Sequence, residues 1–137
     1  MGCFRSIPLL VLFSSLFFTQ KASAQKYQFN CFQHAAYSYE HKGDTNWVDT
    51  SYSLIVDFEK KKVYLRNKTA REYDIIRYSP LRKEVNGSTI VCQAVDNEGD
   101  MCSVELTLFN EVSFHVATLV VRYTTIIRAY RLQRPRT

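Results

Sequence analysis

The chain has 137 residues, of which 46% are hydrophobic, and a formal net charge of +5. A chain of this length forms one compact domain and is too short for two. The small positive charge does not indicate a nucleic-acid partner, and we expect none.

The first 24 residues have the composition of a cleavable signal peptide. Residues 1–6 form a short basic segment, and residues 7–18 are almost wholly apolar. Residues 21–24 end in the small-x-small pattern that signal peptidase recognises. A membrane-spanning helix would need about 20 apolar residues and no processing site. We therefore expect residues 1–24 to be a signal peptide and residues 25–137 a single exported β-domain. It would be secreted, periplasmic or extracellular, without a transmembrane segment.

The positive charge is concentrated at the C-terminal end of the chain. No carboxylate side chain follows Glu111, whereas five arginines do. Such a segment either attracts an anionic partner or serves as a solubilising edge strand and tail, and we favour the second interpretation. The arginines are Arg122, Arg128, Arg131, Arg134 and Arg136.

The first part of the expected domain, residues 25–49, is aromatic and lacks sustained alternation. Tyr27, Phe29 and Cys31 are spaced as the start of an edge strand. Residues 32–40 suit a short helix that ends at Lys42-Gly43. This segment is the one place where the sequence indicates an N-terminal helix.

From Ser51 onward the apolar residues recur with a period of two, which is typical of strands. In residues 51–58, for example, Tyr52, Leu54, Val56 and Phe58 share one face. Residues 111–132 are too long for one strand and divide near Thr118 or Tyr123. The strand-like runs predict an all-β fold, a small antiparallel barrel or sandwich of about seven to eight strands. The other runs cover residues 63–66, 72–78, 88–94 and 101–109.

Three cysteines follow the expected leader, and an odd number in an oxidising compartment leaves one thiol outside any disulfide. Cys92 and Cys102 flank an acidic turn segment. If the turn centres on Asn97, the two cysteines lie opposite each other, and we expect them to form a disulfide. The alternative is two buried thiols. Cys31 would then be the remaining free thiol, and a disulfide-linked dimer through Cys31 is one option.

Cys31, His34 and His41 are the best candidates for metal binding or catalysis. Thiolate and imidazole are zinc ligands at such spacing, but a closed site needs a fourth ligand. The same residues could act as a cysteine nucleophile and its base, with Asp44 or Asp49 orienting a histidine. We expect neither role, no catalytic residue and no cofactor. His115, between Phe114 and Val116, is expected to be an ordinary strand histidine.

Acidic residues supply two weaker candidates. Asp57, Glu72, Asp74 and Glu105 fall on predicted strands, mostly on the polar face, so solvated charges are expected there and not a glycosidase pair. The segment 96–100 offers oxygen ligands but lacks the spacing of an EF-hand calcium loop. Turn formation accounts for its composition.

Two further features concern the surface. Asn67 and Asn86 match the N-glycosylation sequon in predicted turns, which has meaning only in a eukaryotic host. Aromatic side chains of the first segment are candidates for a binding platform, because sugar-binding and protein-binding surfaces use them. Tyr37, Tyr39 and Trp47 are the expected ligand-binding residues.

These observations predict a non-catalytic secreted binding domain, whose ligand is a protein, a glycan or a small apolar molecule. One alternative is a small secreted hydrolase or metal-binding protein that uses Cys31, His34 and His41. Another is an envelope or structural subunit that is linked covalently through the remaining thiol.

Overall fold

A computed structural model describes residues 26–39, 46–67, 70–111 and 113–135. The expected signal peptide, its cleavage site and His41 lie outside these ranges. Every regular element within them is a β-strand. No helix in these ranges has the length and apolar character needed to cross a membrane.

Nine strands occur in the described part of the chain, and all of them pair in an antiparallel manner. They are β1 (Lys26–Ser38), β2 (Val48–Asp57), β3 (Lys62–Arg66), β4 (Ala70–Tyr78), β5 (Arg82–Lys83), β6 (Gly87–Asp96), β7 (Met101–Phe109), β8 (Ala117–Arg122) and β9 (Ile126–Gln133).

The strands close into an eight-stranded barrel. Strand order follows chain order from β1 to β4 and from β6 to β9, and the sheet closes through the β4–β6 and β1–β9 pairings. The two-residue strand β5 pairs only with β6 and lies outside the closed ring. The prediction of an all-β fold is confirmed. Because the sheet is closed, the fold is a barrel and not a sandwich.

Alternation along the strands fills one half of the barrel with apolar side chains. Val104 faces Cys92 on β6 and Val121 on β8, while Leu106 faces Ile90 and Leu119 in the next inward-facing layer. Burial of these side chains supplies the main driving force for closure. The residues of this core include Phe29, Leu54, Val56, Val63, Leu65, Ile75, Ile90, Cys92, Val104, Leu106, Leu119, Val121 and Leu132.

The predicted N-terminal helix is wrong, because β1 runs through Ser38 as one strand. A register shift between Cys31 and Gln33 places a β-bulge in its middle. Tyr27, Phe29 and Cys31 pack on the core before the bulge, and the inward positions move to His34 after it. The bulge therefore explains the irregular sequence pattern. β1 is also not an edge strand, since it pairs with both β2 and β9.

The final segment divides at Tyr123, one of the two predicted points. The Tyr123 amide donates to the Ile126 carbonyl over 2.9 Å and closes the β8–β9 turn. β9 pairs with β8 on one side and β1 on the other. The interpretation of this arginine-rich segment as an edge strand is therefore wrong for β9.

The predicted Cys92–Cys102 disulfide is not formed. The β6–β7 hairpin pairs Cys92 with Val104 and Cys102 with Ala94, so the two cysteines are diagonal neighbours. The last pair, Val95 with Met101, centres the turn on Glu98 and not on Asn97. Cys31, Cys92 and Cys102 are all free and buried.

Candidate functional site

The barrel interior is apolar in one half and polar at one end. This end is where β1, β3, β6 and β8 finish and β2, β4, β7 and β9 begin. We call its inward-facing polar and aromatic residues the barrel-mouth cluster. They are His34, Tyr52, Arg71, Tyr73, Asp96, Tyr123, Arg128 and Tyr130.

Strand register directs two arginines into this end of the barrel. Arg71 pairs with the buried Leu65 and precedes Tyr73 by two residues on β4. Arg128 pairs with the buried Val121 and precedes Tyr130 by two residues on β9. Since alternate residues of a strand share a face, both guanidinium groups lie on the side of the sheet that faces the core.

Two adjoining pockets share these arginines. The larger pocket, about 430 Å³, is open at the β6–β7 and β8–β9 turns, and Glu98, Asp100 and Thr124 are among its described lining residues. The smaller pocket, which we call the inner pocket, has a volume of about 200 Å³. The described residues that line the inner pocket are His34, Tyr52, Leu65, Arg71, Arg128 and Tyr130.

Three aromatic rings form one wall of the inner pocket. His34 stacks on Tyr130 with ring centres 5.1 Å apart and an interplanar angle of 27°. Tyr52 meets both rings edge-on, at 6.1 Å from His34 and 6.2 Å from Tyr130. Burial, followed by the charges of Arg128 and Arg71, lowers the pKa of His34 below 6.5. The imidazole is therefore neutral at pH 7, and the wall carries no charge of its own.

The inward-facing carboxylate of the cluster, Asp96, is held by the neighbouring turn. Its Oδ1 accepts hydrogen bonds from the Glu98 amide at 3.0 Å and the Asp100 amide at 2.8 Å. Its Oδ2 accepts one from the Tyr123 hydroxyl at 2.8 Å. These bonds agree with the expected turn-forming role of segment 96–100, because they commit both carboxylate oxygens to the turn and to Tyr123.

Partial burial opposes ionisation of Asp96, but hydrogen bonds from Asp100, Tyr123 and Glu98 outweigh it. The pKa of Asp96 therefore lies below the ordinary 3.8. A carboxylate with a lowered folded-state pKa stabilises the fold above its ordinary pKa. This contribution is lost as the pH falls through the lowered value.

We expect Asp96→Asn to lower the free energy of unfolding at pH 7 by about 1 kcal/mol, because charge-assisted hydrogen bonds to the turn are weakened. The deficit should shrink as the pH falls below the ordinary value of 3.8, because wild type then progressively loses the same charge. Urea unfolding across this range measures both effects. Asp100→Asn in the same turn is the control; a deficit as large at low pH as at pH 7 would contradict this account.

One polar atom of the cluster, Arg128 Nε, is buried without a hydrogen-bond partner among the described residues. Tyr73 is fully buried, and its hydroxyl interacts with the side chains of Arg71 and Tyr123. Within the described ranges, no carboxylate lies within 4.0 Å of the guanidinium group of Arg71 or Arg128. Unpaired buried groups of this kind cost folding free energy and are common at sites that bind a ligand.

The candidate nucleophile Cys31 is poorly placed for chemistry. Its side chain lies in the core with 1% exposure, and its thiol donates to the Gln33 carbonyl over 3.2 Å. Burial raises the pKa of the Cys31 thiol to about 12, so the thiolate is scarce at pH 7. No group of three or more His, Cys, Asp or Glu side chains suited to a metal ion occurs in the described part.

The predicted aromatic platform lies on the outside of the barrel. Tyr37 pairs with Ile127, whose side chain lies on the opposite face of β9 from that of Arg128. Tyr39 follows β1 directly and is 48% exposed. Trp47 is half-buried, and the Arg131 guanidinium covers its ring at 3.9 Å. None of these three aromatic residues is among the described residues that line the two pockets of the barrel mouth.

The remaining candidates occupy several environments. Asp57 is buried and caps the β2–β3 turn by accepting from the amides of residues 59 and 60. Glu72 and Asp74 pair with Lys62 on the surface, and Glu105 lies 3.8 Å from Arg122.

His115 lies in the loop before β8 and not within a strand, with Nε2 2.9 Å from the Thr118 hydroxyl. Asn67 and Asn86 are exposed at opposite ends of the barrel, and their glycosylation stays a prediction.

No protein-family model matches the chain, and no match was found among the curated proteins or the solved structures. The geometry of the barrel mouth is therefore the basis for assigning a function.

Sequence reasoning missed Arg71 and Arg128, although a signal for both is present. Arg71 shares its strand parity with Tyr73 and Ile75, and Arg128 shares its parity with Tyr130 and Leu132. An arginine in phase with the apolar face of a strand indicates an inward-facing charge. Treating the C-terminal arginines as one basic segment concealed that phase.

Proposed function

We propose that the chain is a secreted, non-catalytic binding protein that holds a small molecule at the polar end of its barrel. The observation that carries this proposal is the inner pocket, where three aromatic rings and two arginines surround about 200 Å³. Small-molecule sites in proteins combine apolar or aromatic walls with a few convergent polar groups, and barrel mouths are a common location.

The size of the inner pocket suits a compact ligand. A cavity of about 150 Å³ in another protein accommodates benzene, so the inner pocket has room for one six-membered ring and a substituent. The adjoining larger pocket provides an open path from solvent to Arg71 and Arg128. Entry therefore does not require the barrel to open.

The two alternative functions have less support in the geometry. A hydrolase would need an accessible nucleophile, and Cys31 is buried with its thiol protonated at pH 7. A covalent subunit would need an exposed thiol, and all three described cysteines are buried. A small-molecule site requires neither an exposed thiol nor a covalent partner.

Binding is tested by nuclear magnetic resonance on protein that is produced through a secretory pathway, with its mass checked for loss of residues 1–24. Phenol, indole, benzamide and benzoate serve as probes. We expect at least one of them to shift the amide signals of Arg71, Arg128 and Tyr130. The signals of Glu59 and Lys60, exposed in the β2–β3 turn at the opposite end of the barrel, should not move.

Two results would contradict the proposal. If no probe shifts any signal, the barrel mouth does not hold small ring compounds. If the shifts are confined to Tyr37, Tyr39 and Trp47, the outer aromatic residues form the site, as the sequence alone suggested.

A further inference from the structure

We infer that the ligand of the barrel mouth is a small organic monocarboxylate with a ring, whose carboxylate is bound by Arg71 and Arg128. The inference rests on the proposed function and adds the chemical class of the ligand. Its basis is the charge balance, the unpaired Arg128 Nε and the shape of the inner pocket.

The interior charge of the barrel mouth is unbalanced in favour of an anion. Two guanidinium groups line both pockets, and the described inward-facing acid is Asp96. Both oxygens of Asp96 already accept hydrogen bonds from Tyr123 and from turn amides. A second carboxylate, supplied by a ligand, would pair the remaining positive charge.

The unpaired donor of Arg128 is of a type that suits a carboxylate. Arg128 Nε is buried without an acceptor among the described residues, and Arg128 lines both pockets. A guanidinium group presents N–H donors in a planar fork that fits the two oxygens of a carboxylate. One bound carboxylate would thus supply an acceptor where the protein has left a donor of Arg128 unpaired.

The rest of the inner pocket favours a ring over an extended chain. His34, Tyr52 and Tyr130 offer ring faces and edges, and Leu65 adds an apolar side chain. A planar ring can pack against such a wall in stacked or edge-on geometry. The carboxylate would then project from the ring toward the arginines.

The rim of the larger pocket argues against ligands of higher charge. Glu98 and Asp100 line it on the β6–β7 turn, close to the path that the ligand would take. Like charges repel multiply charged anions, and this repulsion opposes phosphate more strongly than a monocarboxylate.

Isothermal titration at pH 7 with matched acids and amides tests the inference. The pairs are benzoate with benzamide and 4-hydroxyphenylacetate with its amide; inorganic phosphate is tested alone. We expect one-to-one binding of at least one acid, at least about tenfold tighter than its amide. Arg71→Gln and Arg128→Gln should weaken binding of that acid by about ten- to hundredfold, since each removes charged donors.

Arg77→Gln is the matched control, because Arg77 lies on β4 with Arg71 but is exposed and contacts Gln93 at 2.6 Å. Arg77→Gln should leave acid binding unchanged.

Ligand-free Arg128→Gln should unfold at the same temperature as wild type or at a higher one, whereas loss of a merely structural arginine would lower the unfolding temperature. If a glutamine variant fails to fold, Arg128→Lys keeps the charge, removes the fork and should still weaken acid binding.

The outcomes separate the inference from the proposed function. Amides that bind as tightly as acids would overturn the carboxylate assignment and leave a small-molecule site in place. Phosphate that binds more tightly than every acid, with the same dependence on Arg71 and Arg128, would also overturn it. If neither acids nor amides bind while phenol or indole still shifts the Arg128 signal, only the inference fails. If no probe binds in either experiment, both fail.

Discussion

Leu119→Ala is expected to lower the free energy of unfolding by about 3 kcal/mol, because it creates a cavity in the centre of the barrel. Leu119 is fully buried on β8, where it lies between Leu106 on β7 and Tyr130 on β9. A closed barrel allows little collapse around a missing side chain, since each strand is hydrogen-bonded on both sides. Urea unfolding monitored by circular dichroism measures the loss.

The control for Leu119→Ala is Val120→Ala, one residue further along the same strand. Val120 is half-buried on the outer face of the barrel, so its truncation leaves no internal cavity. We expect a loss below about 1 kcal/mol. Equal losses for the two variants would mean that β8 does not direct Leu119 into a close-packed core.

Gly87→Ala is expected to destabilise the fold by about 3 kcal/mol for a different reason. A Cβ at Gly87 would overlap the Leu108 carbonyl oxygen and lie 2.9 Å from the carbon of that carbonyl. Both atoms belong to the backbone of β7, so no side-chain rotation relieves the overlap. β6 and β7 would have to separate where they pair Gly87 with Phe109, and urea unfolding at pH 7 measures the cost.

Gly99→Ala separates this steric effect from backbone strain. Gly99 has a φ of 90°, and a Cβ there meets no heavy atom within 4 Å. Its substitution should therefore cost only the strain of a left-handed conformation, about 1 kcal/mol. A Gly99→Ala loss as large as that of Gly87→Ala would show that close approach of β7 is not the dominant constraint at Gly87.

The core and the barrel mouth have opposite energetic roles. Leu119 stabilises the fold and packs against Tyr130, which also forms part of the inner-pocket wall. Arg128, on the same strand as Tyr130, has a buried Nε without a hydrogen-bond partner among the described residues, and an unpaired buried donor costs folding free energy. The apolar half of the barrel therefore offsets the cost of placing an unpaired donor at its polar end.

Local patterns in the sequence were sufficient for most of the strands. Residues 51–58 alternate with period two, and Tyr52, Leu54, Val56 and Phe58 all face the core or pack against it. The run 101–109 matches the bounds of β7. Such strands are predictable because each residue's environment depends only on its parity along the chain.

Other features depended on contacts between distant parts of the chain. The bulge in β1 changes the parity after Cys31, and it became evident only from pairing with β2 and β9. The separation of Cys92 from Cys102 follows from the hairpin register, which the turn composition did not determine.

The sequence by itself determined an all-β fold, because period-two alternation survives any arrangement of the strands. Only the tertiary structure decided that the sheet closes, and closure brings Arg71 on β4 and Arg128 on β9 around the same pockets. These arginines are 57 positions apart in the chain, and their strands are not neighbours in the sheet. Their meeting follows from the curvature of the whole barrel, a property that no local sequence pattern encodes.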